Sequence, residues 1–493
     1  MAGNVVFQLN EDSDAPIFLN LASVIIREIE RGRLKPGSTL PGTRTLSKSL
    51  GIHRNTVDAA YKELGLQGWI VARPSRGSFV AEDLPPAPSS RNKQRRPGMA
   101  APRRPTARAD EGPLLSFSDG TPDPRIMPRA ELARAFRRAL SAPAFLRGSA
   151  YGDPRGSLLL REALCDYLGR ERGLAVSADD IVITRGGQMA VYIAARVLLQ
   201  PGDVIAVEDP GYPLAWSAFR AAGARVVGIP VDPYGLVVQQ LEKIAERETR
   251  LRAVYVTPHH QYPTTVTLGA GRRLALLDLA RRRRLTLIEE DYDHEYQFDS
   301  RPVLPLIARS ASEVVLYVGS FSKLLAPGIR LGYLIVPGKL RQRMADQRET
   351  IDRQGDLPLE HAVAALMQDG ELRRHARKSR RIYQVRRDLL AEELRRRFGT
   401  RVSFDKPPGG LAIWLRPMDG ANSERWASRA ASMGLAVLPG ARFALNATSA
   451  ANAFRLGYAN LNEDELRRAV DLLVRSAPWG RDQAIGRGNK LPG

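Results

Sequence analysis

Apolar positions along this chain follow two rhythms, one helical and one strand-like, and the change between them divides it. From Pro16 to Arg33, Ile17, Leu21, Val24, Ile25 and Ile29 form a helical stripe. Gly32 closes it, and Leu34-Lys35-Pro36-Gly37 reads as a turn. A short helix follows from roughly Thr43 to Leu50, with Leu46 and Leu50 on one face and Thr43 as its cap. Gly51 breaks it. A third helix, near His53 to Leu66, buries Val57, Ala60, Tyr61 and Leu64 at i, i+3, i+4 and i+7. Helix, glycine turn, helix is helix-turn-helix spacing. Trp69 to Arg73, the turn Pro74-Ser75-Arg76-Gly77 and Ser78-Phe79-Val80 then read as a hairpin, hence a wing.

Residues 84–112 lose both rhythms. They hold six prolines, seven Lys/Arg, two acids and no aromatics, which cannot bury a core. From Leu114 the strand-like runs 181–183, 204–207, 253–256, 285–288 and 314–318 alternate with helical segments, the pattern of an α/β domain with a mostly parallel sheet. A smaller α+β part is expected from about residue 350. It takes helices across 358–397, strands near 402–404 and 411–414, and a last helix at 462–476. The expected divisions are 1–83, a winged helix; 84–113, a linker; 114–477, the α/β body; and 478–493, a tail. No internal repeat is visible.

Composition narrows the class. At 493 residues the chain exceeds one core, and its 43% hydrophobic content is that of a globular protein. The formal net charge of +21 favours polyanionic partners. Runs such as Arg281–Arg284 suit a solvated helix face, but residues 27–76 alone hold ten basic and four acidic residues. Cys165 is the only cysteine, which rules out an intrachain disulfide and fits a reducing compartment. The N-terminus has no charged segment followed by an apolar one, and no apolar run reaches the roughly 18 residues of a membrane span. A soluble, cytoplasmic protein is expected.

Candidate chemistry lies in both halves. The second helix of the helix-turn-helix pair presents Arg54, Asn55 and Thr56 in its first turn, where a recognition helix meets base edges and phosphates. The string from Leu40 to Val80 resembles the GntR-type winged helix, and that resemblance implies DNA contact by Arg44, Lys48, Arg54, Asn55, Thr56 and Gly77. In the body, Gly319-Ser320-Phe321-Ser322-Lys323 follows a buried-strand run, with Arg330 close behind. The chain holds ten lysines among 74 Lys+Arg. A desolvated lysine at a strand end can form a Schiff base with an aldehyde, and Ser320, Ser322 and Arg330 suit a phosphate.

That pattern resembles the internal-aldimine motif of fold-type I, pyridoxal-phosphate-dependent aminotransferases. The resemblance implies that Lys323 carries the cofactor. It also implies that Gly187 and Gln188, at the strand-to-helix turn Thr184–Gln188, hold its phosphate, and that Tyr212 stacks on its ring. Glu290 or Asp291 would pair with the pyridine nitrogen and Tyr292 with the phenolic oxygen. Arg455 would grip an effector carboxylate. One segment departs from the family: Tyr262-Pro263-Thr264-Thr265 stands where ordinary aminotransferases have Asn-Pro-Thr-Gly. The neighbouring His259 and His260 lack the carboxylate spacing of a metal site, so no metal is expected.

Winged helix first and aminotransferase-like domain second is the architecture of the MocR/GabR family of bacterial transcriptional regulators. It implies a DNA-binding homodimer whose second domain, of the PLP-dependent transferase fold type I, senses an amine, an amino acid or the vitamer itself through the Lys323 aldimine. The alternatives are an active aminotransferase with a DNA-binding appendage, or a winged-helix repressor with a cofactor-free shell.

Overall fold

The computed structural model describes residues 7, 9, 16–74, 76–82, 84, 115–142, 150–299, 303–308, 313–336 and 338–479. Residues 85–113 of the expected linker and 480–493 of the expected tail lie outside the described residues. The chain divides into two compact units, Met1–Ala107 and Arg108–Gly493.

In the first unit, α1 (Ile17–Glu30), α2 (Thr43–Leu50) and α3 (Arg54–Leu66) precede an antiparallel hairpin of β1 (Ile70–Arg73) and β2 (Gly77–Val80). Leu21, Val24, Ile25 and Ile29 of α1 meet Leu46 of α2 and Val57, Ala60, Tyr61 and Leu64 of α3 in one core, which Ile70 and Val80 close. Each fully buried aliphatic side chain contributes about 1.5–3 kcal/mol. The Tyr61 hydroxyl donates to the Pro41 carbonyl at 2.7 Å and fixes the approach to α2. Gly51 ends α2 at φ +64°, left-handed backbone that glycine adopts without penalty. Thr43 is not the cap expected of it. Gly42 holds the extended cap backbone (ψ 148°) without a side-chain bond, so the helix has already begun at Thr43. His53 does cap α3, its Nδ1 accepting the Asn55 backbone N–H at 3.2 Å.

The second unit opens on β3 (Leu115–Ser116). Its large sheet comprises β4 (Ile181–Thr184), β5 (Val204–Asp209), β6 (Arg225–Asp232), β7 (Gly235–Leu236), β8 (Leu251–Val256), β9 (Thr286–Asp291), β10 (Val315–Ser320) and β11 (Gly332–Ile335). Their spatial order is β4-β11-β10-β9-β8-β5-β6-β7. The run β10-β9-β8-β5-β6 is parallel; β11 and β7 are antiparallel to their neighbours. Helices cover both faces, so the strands β4, β10 and β11 are buried along their whole length rather than on alternate residues. The helices Gly187–Leu198 and Pro213–Ala221 pack on one side, and Leu158–Arg172, Ala270–Arg283 and Leu357–Gln368 on the other.

The smaller part is a four-stranded sheet in the order β12-β13-β16-β15, from β12 (Val402–Ser403), β13 (Ala412–Pro417), β15 (Leu438–Pro439) and β16 (Phe454–Gly457). It also holds β14 (Leu435–Ala436), which pairs in parallel with β3. Its start near residue 350 needs correction. The helices Arg341–Asp352 and Leu357–Gln368 pack on the large sheet, and the 28-residue helix Glu371–Phe398 crosses from one core to the other. Leu372 belongs to the large core, Leu390 and Leu394 to the small one, where Phe117 joins them from the start of the unit. Among the described residues no helix is long and apolar enough to cross a membrane.

In an open α/β sheet the crevice beyond the carboxyl ends of the strands is where ligands bind. Here β4, β5, β8, β9 and β10 all end beside one cavity, lined by Gly187, Tyr212, Thr257, Tyr292 and Lys323 among others. Close backbone approach shapes it: a Cβ on Gly332 of β11 would lie 2.7 Å from the Gly186 carbonyl carbon. Gly332→Ala is therefore expected to push β11 off the turn after β4 and to lower stability by about 1–3 kcal/mol in urea unfolding.

Candidate cofactor site and nucleic-acid interface

On the first unit Arg44, Lys48, Arg54 and Asn55 are exposed and Thr56 half-buried, all on α2 or the first turn of α3. The Arg54 Nε donates to the Thr43 hydroxyl at 3.4 Å, so the starts of the two helices meet. Gly77 is exposed at φ +99° where the hairpin turns into β2. The expected DNA-contacting residues thus sit on the helix-turn-helix and at the wing. Ser75 lies outside the described residues.

In the second unit the helix after β4 begins at Gly187, with Gly186 at φ +79° as its cap. The Arg330 guanidinium lies 3.0–3.1 Å from where a Gly186 Cβ would be, and its Nη2 donates to the Arg185 carbonyl at 2.6 Å. Ser320 and Ser322 close the other side, their hydroxyls 3.0 Å apart. Free N–H groups at a helix start, two hydroxyls and a guanidinium form a cradle for an anion. Gln188 lines it too; its Nε2 donates to the Leu214 carbonyl at 2.9 Å, while its Oε1 is buried without a partner.

Lys323 follows β10 and is half-buried. Its Nζ donates to the backbone carbonyl of Asp119 at 2.8 Å. Burial lowers its pKa, against the pull of Asp119 and with the push of Arg455. Glu290 and Tyr292 line the same cavity from the end of β9. Glu290 accepts a hydrogen bond from the Tyr255 hydroxyl, and burial raises its pKa. The Tyr292 hydroxyl donates to the His260 carbonyl at 3.0 Å. The Tyr212 ring meets that of Tyr262 edge-on at 5.1 Å.

Asp291 does not line the cavity. Strand alternation turns it to the opposite face from Glu290, where it accepts from the Tyr317 hydroxyl at 2.7 Å and pairs with Arg172 and His294. Burial works to raise its carboxyl, but His294 and Arg172 outweigh that and hold it well below the usual range. The sequence reading denied the paired histidines a carboxylate, and this is a correction: ligand atoms of His259, Asp291 and His294 lie within 4.8 Å of one another. Residues 32 apart in the chain meet there because β8 and β9 are adjacent. Arg172 and Tyr317 already engage that carboxylate.

Arg455, on β16, is fully buried. Its Nε donates to Asp119 Oδ1 at 2.8 Å and its Nη1 to the Pro263 carbonyl at 2.7 Å. Tyr262, in the asparagine position of the resemblance, donates to Asp119 Oδ2 at 2.8 Å. Thr265, in the glycine position, holds φ +67°, unusual for a β-branched residue. Sequence reasoning missed Asp119 and Tyr255. The polar cluster Ser118-Asp119-Gly120 after an apolar run was the available signal for the first, and a lone hydroxyl within the run Ala253–Val256 for the second. It also missed the brace beneath: Glu208 Oε2 accepts from the Thr257 backbone N–H (3.0 Å), the Thr257 hydroxyl (2.6 Å) and Gln261 Nε2 (3.3 Å).

A winged helix-turn-helix ahead of a lysine-centred α/β crevice makes this a transcriptional regulator with an aminotransferase-like body. Residues 19–80 match the model of the bacterial regulatory proteins of the gntR family, and residues 120–473 match aminotransferase class I and II. The chain is 30% identical to the probable rhizopine catabolism regulatory protein MocR of Rhizobium meliloti, over 95% of each chain. It is 31% identical to the HTH-type pyridoxine biosynthesis transcriptional regulator PdxR of Corynebacterium glutamicum, over 95% of this chain and 97% of that one. Among solved structures, the kynurenine aminotransferase of Pyrococcus horikoshii superposes with a TM-score of 0.68 at 30% identity, over 74% of this chain and 90% of that one. The α-aminoadipate aminotransferase LysN of Thermus thermophilus, complexed with N-(5'-phosphopyridoxyl)-L-leucine, gives 0.66 at 28% identity, over 74% and 92%. The chain belongs to the MocR/GabR family of transcriptional regulators.

The Glu208 brace yields a test. Burial pushes the Glu208 carboxyl up to about 7 from 4.5, against the hydrogen bonds of Thr257 and Gln261. A carboxyl raised on folding holds its proton in the native state after the unfolded chain has lost it, so its contribution falls as pH rises from 4.5 to 7. Relative to Glu208→Gln, the wild type is expected to lose about 3 kcal/mol across that window, read by urea unfolding at each pH.

Proposed function

We propose that this regulator holds pyridoxal 5'-phosphate in the crevice and that an amine ligand, or the vitamer itself, controls its binding to DNA. The cofactor supplies an aldehyde that captures primary amines and a pyridine ring that withdraws electrons. The residues fit it. The phosphate goes to the Gly187 and Gln188 end of the helix, with Ser320, Ser322 and Arg330, and the Gly186 and Gly187 backbone leaves room. Tyr212 covers the ring, Glu290 pairs with its nitrogen and Tyr292 faces its phenolic oxygen. Lys323 carries the aldehyde. The observation behind this reading is that one half-buried lysine, its pKa lowered by desolvation, shares a cavity with an anion cradle. A lowered pKa enlarges the share of neutral amine, which is the nucleophilic form.

Arg44, Lys48, Arg54, Asn55, Thr56 and Gly77 meet DNA, phosphate contacts dominating affinity and base-edge contacts specificity. The working form is a cytoplasmic, symmetric homodimer reading paired half-sites. A ligand that displaces Lys323 shifts DNA affinity only by its differential affinity for the two arrangements of the protein. The second reading, a working aminotransferase, draws on the complete lysine-and-cradle arrangement; keto-acid production at ordinary enzyme rates, about 1–1000 per second, supports it instead.

Two measurements check the regulator reading. Operator binding followed by gel shift is expected to respond to pyridoxal phosphate in the wild type and to lose that response in Lys323→Ala; an identical response in both contradicts it. Arg54→Ala is expected to reduce the slope of log affinity against log salt by about 1.

A further inference from the structure

We propose that Asp119 is a built-in carboxylate that occupies Arg455, so that the effector is a primary amine without an α-carboxylate. The inference rests on the cofactor reading above and narrows the ligand of that same crevice. Both Asp119 carboxylate oxygens are engaged: Oδ1 by Arg455 Nε at 2.8 Å and Oδ2 by the Tyr262 hydroxyl at 2.8 Å. The Asp119 carbonyl accepts from Lys323 Nζ at 2.8 Å, which sets this carboxylate at the amine end of the crevice, and Asp119 lines the cavity. Arg455 is fully buried, with Nη1 committed to the Pro263 carbonyl at 2.7 Å and its guanidinium carbon 4.7 Å from the Tyr262 ring centroid. One guanidinium nitrogen remains. It is not the paired fork that takes a carboxylate in two parallel hydrogen bonds.

An α-carboxylate entering here has two courses. It can share Arg455 with Asp119, which sets two carboxylates on one buried cation, or it can expel Asp119 and break both of that residue's hydrogen bonds. An amine with an uncharged carbon in that position does neither and leaves the ion pair whole. Tyr262 belongs to the same device. In the position where the resemblance has asparagine it supplies the hydroxyl that holds the second Asp119 oxygen. The pair thus discriminates by repulsion as much as by attraction, a common route to specificity.

The test uses two stable adducts that share ring, phosphate and alkyl group and differ by one carboxylate, N-(5'-phosphopyridoxyl)-L-alanine and N-(5'-phosphopyridoxyl)ethylamine. Each is titrated calorimetrically into the full-length, cofactor-free protein. The wild type is expected to bind the ethylamine adduct about tenfold or more tightly than the alanine adduct, the loss that follows one charge-assisted hydrogen bond. In Asp119→Ala the preference moves toward the alanine adduct by about ten- to a hundredfold. Asp119→Asn keeps the volume while removing the charge, and moves it in the same direction. A wild type that binds the alanine adduct as tightly or more tightly overturns the proposal, as does a preference unmoved in both variants. Failure of the wild type to bind either adduct, or pyridoxal phosphate itself, overturns the cofactor reading and this inference with it.

Discussion

Drawing one lysine partly out of water at the end of a parallel strand is the constraint on which the larger unit turns. Lys323 follows β10, which lies between β9 and β11 inside the sheet. The strand end sets it against the cavity wall, partly withdrawn from solvent. Desolvation disfavours the ammonium, and a backbone carbonyl 2.8 Å away rather than a carboxylate receives it. The result is an amine whose pKa lies below that of a free lysine. Strands ending at a common edge supply the rest: a helix start after β4, the Glu290 carboxylate at the end of β9 and two hydroxyls at or just past the end of β10.

Strand geometry also separates two acids that adjoin in sequence. Glu290 faces the cavity, with Tyr255 as its partner and burial raising its pKa. Asp291 faces the far layer, where Arg172 and His294 overcome the same burial. One carboxylate is poised by desolvation and the other fixed by ion pairs, and the pleat alone assigns the roles. Arg387 is also fully buried and pairs with Asp299 and Asp388, whose side chains stay half exposed. Such pairs hold their partners in place because leaving one buried charge alone is costly.

Much of this was legible in the chain because the signals were local. The helix-turn-helix rhythm, the wing and the strand-end cluster around Lys323 each span few residues, and their apolar spacing survives folding unchanged. The register between Glu290 and Asp291 was not legible, since both follow the same apolar run and only the pairing of β9 decides which one faces the crevice. Asp119 was beyond reach for a different reason. It stands 204 residues from Lys323 and 336 from Arg455, and no pattern short of the fold brings them together. The same holds for the smaller part, whose core takes Phe117 from one end of the unit and the helix Glu463–Arg475 from the other.

The central claim is that a single amine binds the cofactor. The protein loaded with pyridoxal phosphate, reduced with borohydride and digested, is expected to carry the phosphopyridoxyl mass on the peptide containing Lys323 and on no other. Label spread over the remaining lysines, or none at all, contradicts the account.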